Sequence, residues 1–437
     1  MKTLRIVLIS FAALLALSSG IFLVKNYHIP TWKGTNRFTD FIVYYEAGQR
    51  FNVNADSTYS TPGITPETGG TYNYPPFSII YFAPLAKLSL PAASLVFSIF
   101  SLSASFIITF FVLRIMKEYF IPPTRTQTIA AYIFTASFVP VLHDLKHGQV
   151  NEIVAMCAVV FIWFLLKQKY GVAAFVLFMG FWLKIYSLML LIFVLPFLFV
   201  SSGLYKRFKN TVPAWKIVLF FILGLAVPPL IFSWYIPLTL YKFYFLDFLP
   251  HLSGLTSLSG FNQSFYGVIE RLYAGGNNLG SWTFVPIHPW LKTGGMILTL
   301  SILAYIVKKI WNGSIKNFII TAFAFMAIIP VISQYGWEYI YVFALPLILL
   351  VSLYVLSEKT FTRYTFYVVL GVILFWIPKP SDIFIDTTIA RLPPVLYQLF
   401  FGRWIIASLL FCITAYGYFR LKEKNTEEFS IGGTVNS

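Results

Sequence analysis

The sequence predicts an all-α, polytopic integral membrane protein with about 12 transmembrane helices, and three observations carry that prediction. Of its 437 residues, 58% are hydrophobic and only 11% charged, against about 45–50% and about 25% in soluble globular domains. The apolar residues gather in long uncharged runs, with a mean hydropathy of +0.75. The loops between those runs alternate in charge, as the positive-inside rule requires of a multi-pass protein. Together these exclude a soluble globular protein, a disordered chain and a disulfide scaffold.

The uncharged runs are 6–24, 88–113, 126–142, 153–166, 170–183, 185–205, 217–241, 293–307, 317–337, 339–357, 364–378 and 404–419. The first follows Lys2 and Arg5. Ala16-Leu17-Ser18 loosely resembles a signal-peptide cleavage site, but the apolar run continues through Ile21-Phe22-Leu23-Val24, so it reads as a retained span. Several runs fall short of the about 20 residues of a full crossing, which suits helices packed in a large bundle around a polar cavity. With the N-terminus inside, most of the 32 Lys and Arg lie in short cytoplasmic loops, and most of the 16 Asp and Glu lie outside. Lys184 interrupts the apolar stretch 170–205, which basic loops flank on both ends, so the chain is expected to go out and return with a turn at Lys184. Cys157 and Cys412 each sit inside an uncharged run and read as small buried apolar residues.

The chain reads as one transmembrane domain, 1–437, with two long outer loops at 26–88 and 241–292. No cytoplasmic loop is long enough to form a domain, and no phosphate-binding glycine motif is present, so any chemistry is expected on the outer face. The net charge of +16 is spread between apolar runs and does not form a nucleic-acid patch, so no nucleic-acid partner is expected.

Three polar constellations stand out. In Thr39-Asp40-Phe41-Ile42-Val43-Tyr44-Tyr45-Glu46, Asp40 is placed both to cap a helix beginning at Phe41 and to deprotonate a nucleophile. Glu46 lies about 600° further round that helix, so the two are not a paired-carboxylate site. The loop His143-Asp144-Leu145-Lys146-His147-Gly148-Gln149-Val150-Asn151-Glu152 is dense in polar groups at the mouth of two apolar helices, where such groups line substrate paths or cap helix ends. Its two histidines have no third ligand at a recognised metal-binding spacing, so neither metal nor cofactor is expected. Gln149 and Asn151 suit sugar hydroxyls. Lys184 reads either as a snorkelling side chain or as a fixed cation for an anionic group, and Arg271 is a second candidate cation. Trp337-Glu338-Tyr339 reads as part of an aromatic belt or as a carboxylate lining the cavity.

In order, Asp40-Phe41-x-Val43-Tyr44-Tyr45-x-Ala47-Gly48, Tyr74-Pro75-Pro76 with Pro84-Leu85-Ala86, His147-Gly148-Gln149-x-Asn151, Lys184-x-Tyr186 and Asn262-Gln263-Ser264 resemble the integral-membrane glycosyltransferases of the C superfamily (GT-C), specifically family 87. These are polyprenyl-phosphate-mannose-dependent mannosyltransferases. The family often has histidine after the tryptophan near the tenth span, where this chain has Glu338 and Tyr339. The resemblance implies transfer of a hexose, expected to be mannose, from a polyprenyl-phosphate donor to a glycolipid or glycan acceptor. It places the chain in a bacterial inner membrane, among membrane lipids, with its site on the periplasmic or extracellular face. Asp40 is then the general base of an inverting reaction, with Lys184 and Arg271 on the donor phosphate. Tyr44, His147, Gln149, Asn151, Asn262, Gln263 and Glu338 are the implied sugar or acceptor residues. A lipid-linked oligosaccharide polymerase or ligase is the nearer alternative, since the second outer loop also carries His251, Arg271 and His288. A transporter is the more distant one.

Overall fold

The computed structural model describes residues 40–60, 72–199, 202–208, 212–259, 262–274, 284–311, 313–356, 362–376 and 402–432, with isolated positions before residue 26. The expected first span at 6–24 lies almost wholly outside the described residues, as do parts of both outer loops. What is described is helical nearly throughout. The exception is a small antiparallel ribbon in the second outer loop, Leu255–Ser257 against Phe284–Pro286.

Among the described residues five helices are long and apolar enough to cross a bilayer: Leu90–Tyr119, Ala214–Ile231, Pro289–Trp311, Ile315–Ile332 and the continuous stretch Glu338–Val355. Arg125–Ser137 with Val139–His147, bent by 42°, makes a sixth if the pair is one span. The bend has a local cause. Phe138 leaves the helical region (ψ 118°), and Pro140 follows in the first turn of the next helix, where its missing N–H costs nothing.

The remaining uncharged runs do not become spanning helices one for one. Asn151–Leu166, Tyr170–Leu183 and Arg363–Trp376 hold 16, 14 and 14 residues. At about 1.5 Å per residue each falls short of the roughly 30 Å hydrocarbon layer. The run 185–205 begins as a 3₁₀ helix, Ile185–Val194, that continues into the short helix Leu195–Leu198. These pieces are held by packing against neighbours.

The bundle has an inside and an outside. The stretch Glu338–Val355 is 94% buried, whereas Ala214–Ile231 and Pro289–Trp311 are each 17% buried and turn Trp215, Ile222, Met296 and Leu300 outward. Apolar tails of lipid suit those outer faces. Between inner helices the small residues Ala155, Ala158, Ala173 and Ala174 are fully buried and allow close backbone approach. Hydroxyls tie helices where they meet, as Thr109 with Thr135 at 2.6 Å. Both cysteines are free and buried, as their setting in the sequence implies.

The first outer loop is structured by its own periodicity. Phe41, Tyr44, Ala47, Gly48 and Phe51 recur at helical spacing, and all are buried on one face of the helix Phe41–Val53. That face packs on Ile79–Leu85 and Leu90–Tyr119, with Tyr44 stacked on Phe82 (4.6 Å) and Phe41 against Phe97 (4.9 Å). The packing fixes Asp40, which immediately precedes the helix.

Candidate active site

Asp40 occupies the N-cap position, but its side chain makes no capping hydrogen bond. The expected side-chain cap is therefore absent, because the carboxylate is engaged elsewhere. Gln149 Nε2 donates to Asp40 Oδ2 at 2.6 Å. The Asp40 backbone N–H donates to the His147 carbonyl at 3.2 Å, which anchors the loop helix to the bundle.

Gln149 is aimed by a helix end. His143 to His147 form the last turns of Val139–His147 rather than a loop. The helix closes with Gly148 in the left-handed region (φ 65°, ψ 44°). Gly148 N–H donates to the Leu145 carbonyl at 3.2 Å and Gln149 N–H to the Asp144 carbonyl at 3.0 Å. This paired closure requires a residue tolerant of positive φ, hence glycine, and it turns Gln149 inward. Asn151 then opens the helix Asn151–Leu166.

Lys184 is the hub. It lies in extended conformation (φ −148°, ψ 128°) between Tyr170–Leu183 and the 3₁₀ helix. Its Nζ donates to Gln149 Oε1 at 3.0 Å and Asn151 Oδ1 at 2.8 Å. Asn151 Nδ2 in turn donates to Asp144 Oδ1, and the Tyr186 hydroxyl also donates to Asn151 Oδ1. The chain of contacts thus reads Asp40, Gln149, Lys184, Asn151, Asp144. Each amide has its nitrogen on a carboxylate and its oxygen on the ammonium, the orientation that matches every donor with an acceptor. Among the described residues Lys184 has no ion-pair partner. Three tyrosine rings surround it instead, those of Tyr74, Tyr186 and Tyr339 at 5.3, 5.8 and 5.8 Å. A buried cation held by amides and π faces keeps its charge available to an arriving anion.

The Tyr44 and Tyr74 hydroxyls touch each other and lie 2.8 and 2.9 Å from Gln149 Oε1. Two protons cannot serve all three contacts at once, so the hydroxyls share them between Gln149 Oε1 and each other. Burial raises the Asp40 pKa above its ordinary value, and the Gln149 hydrogen bond, the Lys184 charge and the Tyr339 hydroxyl pull it part of the way back.

Of the residues singled out in the sequence, Asp40, Tyr44, Gln149, Asn151 and Lys184 form this one network, with the His147 backbone beside it. Glu338 is buried one residue before Tyr339, 3.2 Å from His143 Nδ1, and Gln263 Nε2 donates to it at 3.3 Å. Asn262 is spent on protein partners. Its Nδ2 donates to Thr256 Oγ1 and the Ser257 carbonyl at 3.1 and 3.0 Å, and its Oδ1 accepts from Ser264 and Gly336 N–H at 3.2 and 2.8 Å. Arg271, almost wholly buried, donates from Nη1 to the Ser259 and Asn262 carbonyls at 2.7 and 2.6 Å. It braces the second outer loop. Tyr74, Asp144, Tyr186 and Tyr339 join the network without having been singled out as site residues. Tyr74 and Tyr186 fall within the quoted motifs, which was the available signal for them.

A family model described as glycosyltransferase family 87 matches residues 72–333, well over half of the chain. The chain belongs to glycosyltransferase family 87. It is therefore a membrane glycosyltransferase, an enzyme that uses a sugar donor and an acceptor. The family match covers Gln149, Asn151, Lys184, Asn262 and Arg271. Asp40 precedes it and Tyr339 follows it, yet both converge on the matched core. No curated protein matches the chain.

Proposed function

We propose that this family 87 enzyme moves a hexose, mannose by resemblance, from a polyprenyl-phosphate carrier onto a glycolipid or glycan acceptor at the outer face of a bacterial inner membrane. The observation that carries the reading is that one side chain, Gln149, holds both a carboxylate (Asp40) and an ammonium (Lys184). A base and a cation so joined suit displacement of a phosphate by a hydroxyl.

In the proposed reaction the acceptor oxygen bonds to the anomeric carbon as the bond from that carbon to the phosphate oxygen breaks. The hydroxyl proton passes to Asp40, and the electron pair leaves with the polyprenyl phosphate, whose charge Lys184 stabilises. The phosphate is already a good leaving group, so one carboxylate suffices, unlike the pair a glycosidase requires. Attack opposite the phosphate inverts the anomeric centre. Tyr44, His147, Gln149, Asn151, Gln263 and Glu338 are the candidates for the sugars, whereas Asn262 and Arg271, expected from the sequence to meet sugar and phosphate, are buried and engaged with the second outer loop's own groups and serve to brace it. The charge asymmetry of the loops supports the outward placement.

The test uses purified protein in lipid, labelled polyprenyl-phosphate mannose and a crude glycolipid extract of the host. Wild type should move label into a new product, and Asp40→Asn should do so about 10²–10⁴-fold more slowly. Because the Asp40 side chain caps no helix, the variant should remain folded. Equal rates would remove Asp40 as the base.

A further inference from the structure

We propose that the groove between the helices Pro289–Trp311 and Ile315–Ile332 binds an anionic phospholipid of the cytoplasmic leaflet, with an acyl chain in the groove and the phosphate at Lys309. The site is separate from the Asp40–Lys184 network and does not rest on the donor assignment.

Pro289–Trp311 stands off from the bundle, only 17% buried. Small residues at the seam leave space behind it. Ser301, Ile302 and Tyr305 form one wall, Ala324 and Ile328 the other, and Tyr416 of the last helix closes the end. The space measures about 270 Å³, below the roughly 300–1,000 Å³ of pockets that take compact small molecules. Its extent along two helices suits a single hydrocarbon chain. Tyr305 and Ser301 lie four and eight residues before Lys309, and Ile328 lies twelve after Lys316. At about 1.5 Å per residue the groove runs from about 6 to about 18 Å above the basic helix ends. That is the depth of one leaflet, half of the roughly 30 Å hydrocarbon layer.

The charge at the mouth selects the ligand. Lys309 Nζ lies 5.5 Å from the Tyr305 ring centroid and 6.0 Å from that of Tyr416, and both rings line the groove. Lys308 is its neighbour, and Lys316 lies in the first turn of the following helix. All three lysines are exposed, and among the described residues none has an ion-pair partner. The sequence holds no Asp or Glu between residues 289 and 337. The charge asymmetry of the loops assigns this end to the cytoplasm, where basic pockets between spanning helices take anionic headgroups. A neutral lipid would leave the lysines without a counter-charge, and a soluble phosphate would gain nothing from the groove. A phosphodiester joined to an acyl chain meets both. Filling the groove fastens Pro289–Trp311 to the bundle, and the far end of that helix carries Leu291, buried against Tyr266 and Ile287 of the second outer loop.

The experiment is native mass spectrometry of the full chain in detergent, titrated with phosphatidylglycerol or with phosphatidylcholine of the same acyl chains. Wild type should bind the first phosphatidylglycerol several-fold more tightly than phosphatidylcholine. Lys309→Gln should weaken that first site about fivefold, the share of one basic residue at an anionic surface. Ser301→Phe, at an exposed position, fills the groove and leaves every lysine in place, and should weaken the site by a similar factor. Lys117→Gln, which removes an exposed lysine of Leu90–Tyr119 away from the groove, should change nothing, and inorganic phosphate should not compete. Equal affinity for the two lipids would overturn the proposal. So would an unchanged first site in Ser301→Phe, because charge without the groove would then suffice. Preferential capture of polyprenyl phosphate when both lipids compete would overturn the assignment to a phospholipid.

Discussion

Gln149 is 4% exposed and serves four groups at once, so its replacement should separate what the network contributes to stability from what it contributes to chemistry. In Gln149→Leu, Asp40 loses a charge-assisted hydrogen bond of 2.6 Å, while Lys184 loses one of its two amide oxygens. Each such bond contributes about 1.5–3 kcal/mol. Tyr44 and Tyr74 retain each other, so their share is small. The sum is about 3–6 kcal/mol, large against the few kcal/mol that separate folded from unfolded protein. Gln149→Glu has a different outcome. One carboxylate oxygen still accepts from the tyrosines and from Lys184, now as an ion pair, but the other replaces Nε2 against Asp40 Oδ2. Two carboxylate oxygens at 2.6 Å share a proton, so the charge on Asp40 is lost while the packing survives. Thermal unfolding followed by tryptophan fluorescence in one detergent, together with transfer assays, reads both. Gln149→Leu should melt several degrees below wild type, whereas Gln149→Glu should melt near it but transfer sugar at least tenfold more slowly at neutral pH. A Gln149→Leu protein that melts with wild type would show that the Gln149 bridge contributes nothing, and the charge argument would fall with it.

Four further outcomes follow from the same geometry. Because burial raises the pKa of Asp40, the acid limb of the pH–rate profile should fall at a higher pH than an ordinary carboxylate gives, and Asp40→Asn should abolish that limb. The linkage has the opposite sense for folding: a carboxyl with a raised folded-state pKa contributes stability below its unfolded pKa that is lost as pH rises through the folded value, a trend that Asp40→Asn should flatten in melts against pH. Lys184→Met should slow transfer by about 10²-fold, read as single-turnover rates at saturating donor, since on the proposed reading the departing phosphate loses the cation that stabilises it. Gly336→Ala, where an added Cβ would lie 2.3 Å from the Pro330 carbonyl oxygen and 2.6 Å from Ser264 N, should lower the melting temperature, whereas Gly294→Ala, where an added Cβ meets nothing within 4 Å, should leave it unchanged.

Much of this site could be read from short stretches of sequence. Gln149 and Asn151 flank one residue at a helix junction, Lys184 breaks an apolar run, and Asp40 precedes a helix whose buried face repeats at helical spacing. Each is a local signal. Asp144 was harder to see, because in sequence it is one charge in a polar segment, and only the Gly148 closure brings its carboxyl to Asn151. Tyr339 lies 299 residues from Asp40, and tyrosine beside tryptophan at a span end has the same composition as an interfacial belt. Its membership depends on long-range packing that no local pattern encodes. The count of spans was blurred for a related reason: uncharged length measures hydropathy, whereas the helices at 125–147 and 185–198 are interrupted by backbone geometry set at Phe138 and by a 3₁₀ stretch.

The joint between the carboxylate and the ammonium is an amide, and an amide does not titrate in the physiological range. Gln149 therefore transmits electrostatic influence between Asp40 and Lys184 without passing a hydrogen ion from one to the other. A proton taken from an acceptor has no route through Gln149 to Lys184, or beyond it through Asn151 to Asp144. With Asp40 as the proposed base, it leaves from Asp40 itself, which keeps part of its surface accessible. Each turnover would then be reset from the compartment that Asp40 faces, and the acidity of that compartment would set the fraction of enzyme ready for the next acceptor.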